Sequence, residues 1–150
     1  MAADITITTL NQLLEVCRDG EMGFASAAAH VQDAGTKWMF QEIARRRGQF
    51  ADELKQEIRR LGGAPHEGGS LAGSVHRHWI GVKQALQGRN DASIMAEAAR
   101  GEEIAVGAYA NAVQASLPPP TRAIVERQQT DVRDTHDRVR ALEQEWRHRR

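Results

Sequence analysis

Two Gly-Glu pairs are the residues most suggestive of chemistry, because each interrupts an otherwise apolar helical stripe. Gly20 and Glu21 lie in "CRDGEMGF", and Gly101 and Glu102 lie 81 positions later in "AARGEEIAV". A carboxylate on a buried helical face needs a metal ion or a cationic side chain beside it, since an unpaired buried charge is costly. The two pairs therefore predict either a metal site or an ion-paired layer inside the protein.

Later segments supply side chains that could neutralise these carboxylates. We predict a buried polar layer at the mid-height of the helices, in which an arginine takes the place of a metal ion. The predicted members of this layer are Glu21, Arg47, Glu102, Gln128, Arg133 and His136. Arg46 is the alternative to Arg47 as the inward residue, and Arg47 could instead extend outward along its aliphatic stem. If a metal binds, its predicted ligands are Glu21, Glu102 and His136.

Helical periodicity organises the chain around these residues. Apolar positions recur every three or four residues, which predicts helices over about 10–32, 37–61, 71–87, 92–116 and 120–147. Thr9 with Gln12 is a predicted capping box before the first helix, and Asp91 is the predicted cap of the helix over 92–116. Gly62 and Gly63 are predicted to end the second helix. No segment has the alternating pattern of a strand.

The four long helices predict an all-α four-helix bundle built from two helical hairpins, with the short 71–87 helix in the central connection. Shifting the first half by 81 positions superposes Glu21 on Glu102 and keeps the apolar stripes in register. We therefore expect the two hairpins to be copies of one unit. The length of 150 residues suits one domain, residues 1–150.

Four stretches of the sequence carry a resemblance to a known family. They read "TITTLNQLLEVCRDGEMGF", "GSVHRHW", "GRNDASIMAEAARGEE" and "VERQQTDVRDTHDRVRAL". These stretches resemble an uncharacterised bacterial family, described as a ferritin-like four-helix-bundle domain of unknown function within the ferritin and rubrerythrin-like superfamily. The resemblance implies the fold and leaves the activity open.

Di-metal centres in this superfamily take one Glu from each of two helices and a Glu-x-x-His pair from each of the other two, which suits iron or manganese. Glu21 and Glu102 match the single glutamates. The second helix departs from the pattern with Arg47, and the fourth keeps His136 but has Arg133 in place of its Glu. A guanidinium cannot ligate a metal. We therefore expect no cofactor, with a di-iron or other divalent centre as the alternative.

Composition narrows the classes of function. Twenty Lys and Arg residues balance twenty Asp and Glu residues, which excludes the strongly basic composition typical of a dedicated nucleic-acid binder. Cys17 is the only cysteine, so an intramolecular disulfide or a cysteine-rich zinc site is excluded, and we expect it to pack as a small hydrophobe. We see neither a signal segment nor an apolar run of transmembrane length and expect a cytoplasmic protein.

These observations favour a non-enzymatic bundle that self-associates or binds a protein partner, with a stress-related role implied by the superfamily. The first alternative is a metal-binding or oxidase-like protein. The second is a nucleic-acid-associated protein that uses the arginine-rich segments "ARRR" (44–47) and "WRHRR" (146–150). His76 and His78 stand two apart and fall on different helical faces, which disfavours metal binding there. Tyr109 lies on an apolar stripe, and we expect a core residue.

Overall fold

A computed structural model of the chain describes residues 2–66 and 90–148, with side chains described from residue 4 onward. Four helices fill these ranges: α1 (Ala2–His30), α2 (Ala34–Arg60), α3 (Asp91–Ala112) and α4 (Pro119–His148). Helix α1 packs along both α2 and α3, α4 packs mainly on α3, and α2 meets α4 over a short seam. The described part of the chain contains no strand. The predicted all-α bundle of two hairpins is confirmed.

The predicted short helix over 71–87, with His76, His78 and Trp79, lies outside the described residues. Its role in the central connection stays a prediction. The start of that connection is described, and it folds back along α1. Asn11 accepts a hydrogen bond from the His66 backbone N–H at 2.8 Å. Arg18 donates to the backbone carbonyl of the same residue.

Helix α1 begins eight residues earlier than the sequence predicted, and the capping box at Thr9 and Gln12 was wrong. Thr9 lies inside the helix, where its Oγ1 donates to the carbonyl of Ile5 at 2.9 Å. The extra turns have a packing partner. Ile7 lies so close to Gly63 that a Cβ on this glycine would fall 2.9 Å from the isoleucine side chain. Tertiary packing therefore extends the helix beyond its apparent cap.

Two caps and one bridge fix the ends of the hairpins. Asp33 caps α2 by accepting from the Thr36 N–H at 2.9 Å. Asn90 caps α3 by accepting from the Ser93 N–H at 2.9 Å, so the predicted cap at Asp91 was wrong by one residue. Asp91 instead accepts from the backbone N–H groups of Gln32 and Asp33, each at 2.9 Å. Its carboxylate ties the second hairpin to the turn of the first.

The C-terminal ends of α2 and α3 are explained by residues that lie close to them. Gly62 adopts a φ of 87°, which a glycine tolerates without steric cost, and it ends α2 as predicted. Helix α3 ends at Ala112, four residues before the predicted position. Arg122 of α4 donates to the backbone carbonyls of Val113 at 2.9 Å and Ala115 at 2.6 Å. This side chain satisfies the carbonyl end of α3 that the following prolines interrupt.

The apolar core consists of two clusters, one toward each end of the bundle. One cluster includes Leu10, Leu14, Cys17, Phe50, Leu54, Tyr109, Val125 and Val132. The other includes Phe24, Ala28, Val31, Phe40, Ile43, Ile94, Met95 and Val139. These positions agree with the predicted apolar stripes. Among the described residues, no helix is long and apolar enough to cross a membrane.

Candidate functional site

The centre of the bundle holds a buried arginine. Arg47 of α2 is 1% exposed and is the largest of the fully buried side chains. Helix α1 makes room for it at Gly20, where an added Cβ would lie 3.2 Å from Arg47 Nη1. The glycine of the first Gly-Glu pair therefore leaves space for the guanidinium. Arg47, and not the alternative Arg46, is the inward residue.

Arg47 forms a bidentate ion pair with Glu102 of α3. Its Nη1 donates to Oε1 at 2.8 Å, and its Nη2 donates to Oε2 at shorter range. Glu102 is also 1% exposed, so both charges lie outside the reach of solvent. Paired N–H donors on both oxygens match the fork of a guanidinium to the plane of a carboxylate. The centre of the bundle thus contains its own permanent cation.

Burial and ion pairing shift the pKa of Glu102 in opposite directions, and they do the same for Arg47. Burial raises the pKa of the Glu102 carboxyl, and the neighbouring guanidinium counteracts part of that rise. Burial alone would lower the pKa of Arg47, but the Glu102 carboxylate holds it above its ordinary value. Arginine stays protonated throughout the working pH range. Ionised Glu102 is therefore stable here only because Arg47 is beside it.

The ring of Phe24 packs against the guanidinium of Arg47. The Cζ atom of Arg47 lies 5.9 Å from the centroid of the Phe24 ring, within the range of a cation–π contact. Phe24 meets Phe40 edge to face, with centroids 5.4 Å apart. Among the described residues, the buried Nε of Arg47 has no hydrogen-bond partner. The guanidinium is thus held by Glu102 through its two terminal nitrogens and by the Phe24 ring.

A second set of hydrogen-bonded polar side chains lies in the core cluster that contains Leu10 and Leu54. The hydroxyl of Tyr109 donates to Gln128 Oε1 at 2.6 Å, and Cys17 Sγ lies 3.1 Å from the same hydroxyl. Since the phenol proton points to Gln128, the thiol is the donor to Tyr109. Gln128 Nε2 then donates to Glu53 Oε1 at 2.9 Å. These contacts form a hydrogen-bonded chain from the interior to the seam between α2 and α4.

The thiol and the phenol of this chain are held in their neutral forms. Burial raises the pKa of Cys17 to about 11, although its hydrogen bond with Tyr109 works in the opposite direction. Burial also raises the pKa of Tyr109 well above its ordinary value. A thiol must ionise to act as a nucleophile. The arrangement is therefore typical of a structural cysteine and provides no activated one.

The internal repeat explains where the polar residues lie and where they differ. Arg47 and Gln128 stand 81 positions apart, as do Glu21 and Glu102. Arg47 and Gln128 are both buried and both face α3, but one is charged and the other is neutral. The two residues therefore occupy equivalent positions in the repeat but differ in charge.

Arginines on the α2–α4 seam also follow the repeat. Arg46 of α2 pairs with Asp131 of α4 at 2.7 Å. Arg127 of α4, its counterpart 81 positions later, pairs with Glu53 of α2. With Arg45 bound to Glu42, all three arginines of "ARRR" are engaged in ion pairs. This segment does not present a free basic patch.

Two predicted members of the buried layer lie at the surface, and these predictions were wrong. Glu21 is exposed because Gly20 takes the inward position, and its carboxylate lies over α2, where a Cβ on Gly48 would fall 2.5 Å from Oε2. Arg133 is exposed because Val132 and Thr135 take the inward positions of α4. One residue turns a helical position by about 100°, which is enough to move a side chain from the core to solvent. The interior therefore contains Arg47, Glu102 and Gln128 of the predicted set.

His136 lies between these extremes. Its side chain is 18% exposed, and its buried Nε2 lies 3.9 Å from Oε1 of the exposed Glu103. Of the proposed metal ligands, Glu21 is exposed, and both oxygens of Glu102 accept from Arg47. No group of three or more His, Cys, Asp or Glu residues in the described ranges could hold a metal ion. These residues do not fit the di-metal centre of the superfamily.

Sequence reasoning missed the polar chain through Tyr109. Cys17 and Tyr109 were both expected only as core residues, yet they contact each other and Gln128. The signal was present in the repeat, because Gln128 is the counterpart of Arg47 and is itself a polar residue at an inward position. Glu53, which anchors the outer end of the chain, has no such signal.

Comparison with protein families identifies the group to which the chain belongs. Residues 5–115 match the family described as "Domain of unknown function (DUF2383)". The chain belongs to this family. The match spans α1, α2 and α3 and ends before α4. Among proteins of curated function, none matches the sequence.

Solved structures define the fold of this DUF2383 chain. A two-domain protein from Anabaena variabilis, with DJ-1/ThiJ/PfpI-like and ferritin-like domains, matches 97% of this chain and 38% of its own at 17% identity and a TM-score of 0.77. The dodecameric thioferritin of Bacteroides fragilis matches 98% of this chain and 89% of its own at 15% identity and 0.77. The DPS protein of Vibrio cholerae O1, a ferritin-like diiron-carboxylate protein, matches 94% and 90% at 17% and 0.75. The fold is ferritin-like.

The chain spans 38% of the length of the Anabaena protein. At these identities the likeness concerns the fold alone.

Proposed function

We propose that the protein is a non-catalytic, metal-independent helical bundle that acts by binding copies of itself or a protein partner. One observation carries this proposal: Arg47 forms a bidentate pair with Glu102 in the bundle centre, and each residue is 1% exposed. The pair lies where the superfamily pattern would take metal ligands. A side-chain cation therefore does the electrostatic work that a metal ion would do.

The chemistry of the pair disfavours a divalent ion at this position. A metal ligated by Glu102 would have to displace the Arg47 N–H donors from one or both oxygens. It would then lie within a few ångströms of a permanent positive charge in a poorly solvated interior. Like charges repel strongly in such surroundings. Glu21, the second predicted carboxylate ligand, is exposed at the surface and does not share this interior position.

Association is supported by apolar side chains at the surface. Trp38 is 63% exposed, and Ile5 and Met22 are each 60% exposed. Large apolar groups of this kind are often covered by a partner when they cluster. The similar Bacteroides protein is dodecameric. We therefore include a homo-oligomer in the proposal, together with the cytoplasmic location and stress-related role expected from the sequence.

Metal analysis tests the first half of the proposal. Untagged protein, prepared without chelator, is incubated anaerobically with Fe²⁺ or Mn²⁺, desalted and measured by elemental analysis beside Glu102→Gln. We expect both proteins to retain far less than one ion per chain. Retention of one or two ions by the wild type and loss of them in Glu102→Gln would overturn the proposal, while equal retention by both would indicate surface binding.

Sedimentation velocity tests the second half. The wild type is examined over a wide range of concentration, and we expect species larger than one chain. A chain that sediments as a monomer throughout, and that captures no partner chain, would contradict an associating role.

A further inference from the structure

A cleft lies between α2 and α4, where the two helices meet only over a short seam. Its volume is about 470 Å³, a size typical of sites that take small molecules. The lining residues are Phe50 of α2 and Arg127, Thr130, Asp131 and Asp134 of α4. Their spacing along α4 places the last four on one face of that helix. Phe50 is buried and forms the floor of the cleft, while Thr130 and Asp134 are exposed at its rim.

Two of the three charged side chains in the lining are already paired. Arg127 forms an ion pair with Glu53 of α2. Asp131 accepts from Arg46 through Oδ2 at 2.7 Å and from Thr135 through Oδ1 at 3.4 Å. Each ion pair is neutral as a whole. The net charge of the lining therefore depends on the one remaining carboxylate.

That carboxylate is Asp134. Among the residues that the structure describes, it has no hydrogen-bond or ion-pair partner. Since both ion pairs are neutral, Asp134 gives the lining one net negative charge. Complementary charge favours a ligand with a positive group and disfavours an anion.

The internal repeat explains why Asp134 is left without a partner. Asp134 is the counterpart of Glu53, 81 positions later, and Arg127 is likewise the counterpart of Arg46. If both halves paired alike, Arg46 would bind Asp134 as Arg127 binds Glu53. Arg46 binds Asp131 instead, a carboxylate at a position where the first repeat has an aromatic residue. The exchange of an aromatic residue for an acid thus leaves one carboxylate available in the cleft.

The floor of the cleft favours an organic cation over a metal ion. The ring of Phe50 can contact either a positive head group or an apolar stem. A metal ion needs several oxygen or nitrogen ligands, and Asp134 supplies a single free carboxylate. The Thr130 hydroxyl donates to the Glu126 carbonyl at 3.1 Å, and its oxygen can still accept from an ammonium group.

We propose that this cleft binds a small organic cation, with an ammonium or guanidinium group at Asp134 and a short apolar stem on the ring of Phe50. The two helices of one chain form the whole cleft. The proposal therefore goes beyond the associating role put forward above and does not depend on it.

An NMR titration of the isotope-labelled full chain tests the site. The probe is phenethylamine, which is protonated near neutral pH and carries its charge on a short apolar stem. Phenethyl alcohol, its neutral analogue, and the anion hydrocinnamate are the ligand controls. We expect the amine to shift the backbone amide signals of Phe50, Thr130 and Asp134 saturably, and both controls to bind at least about tenfold more weakly.

Three variants test the roles assigned to the lining residues. Asp134→Asn keeps the shape and removes the charge, and it should raise the Kd for phenethylamine by about fivefold or more. Phe50→Leu keeps an apolar floor without a ring and should raise the Kd by about threefold. Asp52→Asn is the matched control, because it removes the same charge from an exposed position of α2 outside the lining. It should leave the Kd unchanged. Asp134 and Asp52 are both exposed, so circular dichroism should report unaltered folding in these two variants.

Four results would overturn the proposal. They are the absence of saturable shifts with the amine, equal binding of phenethyl alcohol, displacement of the amine by Mg²⁺ at equal concentration, and an unchanged Kd in Asp134→Asn. The state of association is not part of this measurement. A monomeric wild type would therefore contradict the proposed function and leave the cleft site standing, while an empty cleft would leave the proposed function untouched.

Discussion

Replacing Glu102 by alanine removes one half of the buried ion pair and leaves the other half in place. Arg47 would keep its charge at 1% exposure, with both terminal nitrogens deprived of their acceptor. Breaking a buried pair in this way costs about 3–5 kcal/mol of unfolding free energy. For a domain of this size, such a loss lowers Tm by about 10 °C. The pair is fully enclosed, so solvent should not reduce the effect.

The assay is equilibrium urea unfolding of three variants, with elemental analysis of each to exclude bound metal. Glu103→Ala is the matched control, because this neighbouring carboxylate is 54% exposed and pairs with Arg140 at 3.2 Å. Exposed pairs of that kind contribute less than about 1 kcal/mol. The double variant Arg47→Met/Glu102→Leu removes both charges and keeps the volume. It should recover most of the stability that Glu102→Ala loses.

A loss in Glu102→Ala no larger than that in Glu103→Ala would refute the reasoning. So would a double variant as unstable as the single one, because the cost would then arise from packing and not from an uncompensated charge.

Two further predictions concern the surroundings of the pair. Gly20→Ala should destabilise the protein by about 1 kcal/mol or more, since its Cβ would lie 3.2 Å from Arg47 Nη1. Gly107→Ala, in open space on α3, should stabilise it by up to about 1 kcal/mol; urea midpoints that fail to separate the two would contradict the close approach. The second concerns pH: the thiol of Cys17 ionises at its ordinary pKa of 9.0 when unfolded but at about 11 when folded. Stability should therefore fall as pH rises from 9 to 11, less steeply in Cys17→Ser, and iodoacetamide should modify the native thiol slowly at pH 8.

Periodicity predicted the helices and the core faces, and it placed Arg47, Glu102 and Gln128 correctly inside. It failed at Glu21 and Arg133, where the inward residue is the immediate neighbour. At the first Gly-Glu pair, the hydrophobic pattern alone does not decide whether Gly20 or Glu21 faces the interior. The decision comes from Arg47, whose guanidinium needs the space that only Gly20 leaves. Because Arg47 lies on α2, a helical-wheel projection of α1 alone does not reveal this requirement.

Helix ends were predicted less well than helix faces, for a related reason. Asn90 and Asp91 are both good caps, and the sequence does not distinguish them. In the structure the Asp91 carboxylate accepts hydrogen bonds from the backbone N–H groups of Gln32 and Asp33, nearly sixty residues away. Asn90 is left to cap α3. The true cap thus depends on a contact between hairpins.

The two hairpins contribute different buried charges, Arg47 from the first and Glu102 from the second. Two copies of the α3–α4 hairpin, brought together, would bury two Glu102 carboxylates and no guanidinium. Two copies of the α1–α2 hairpin would bury two Arg47 side chains and no carboxylate opposite them, since Glu21 points away. Only the mixed arrangement satisfies both charges, so the buried pair favours association of unlike hairpins over association of like ones.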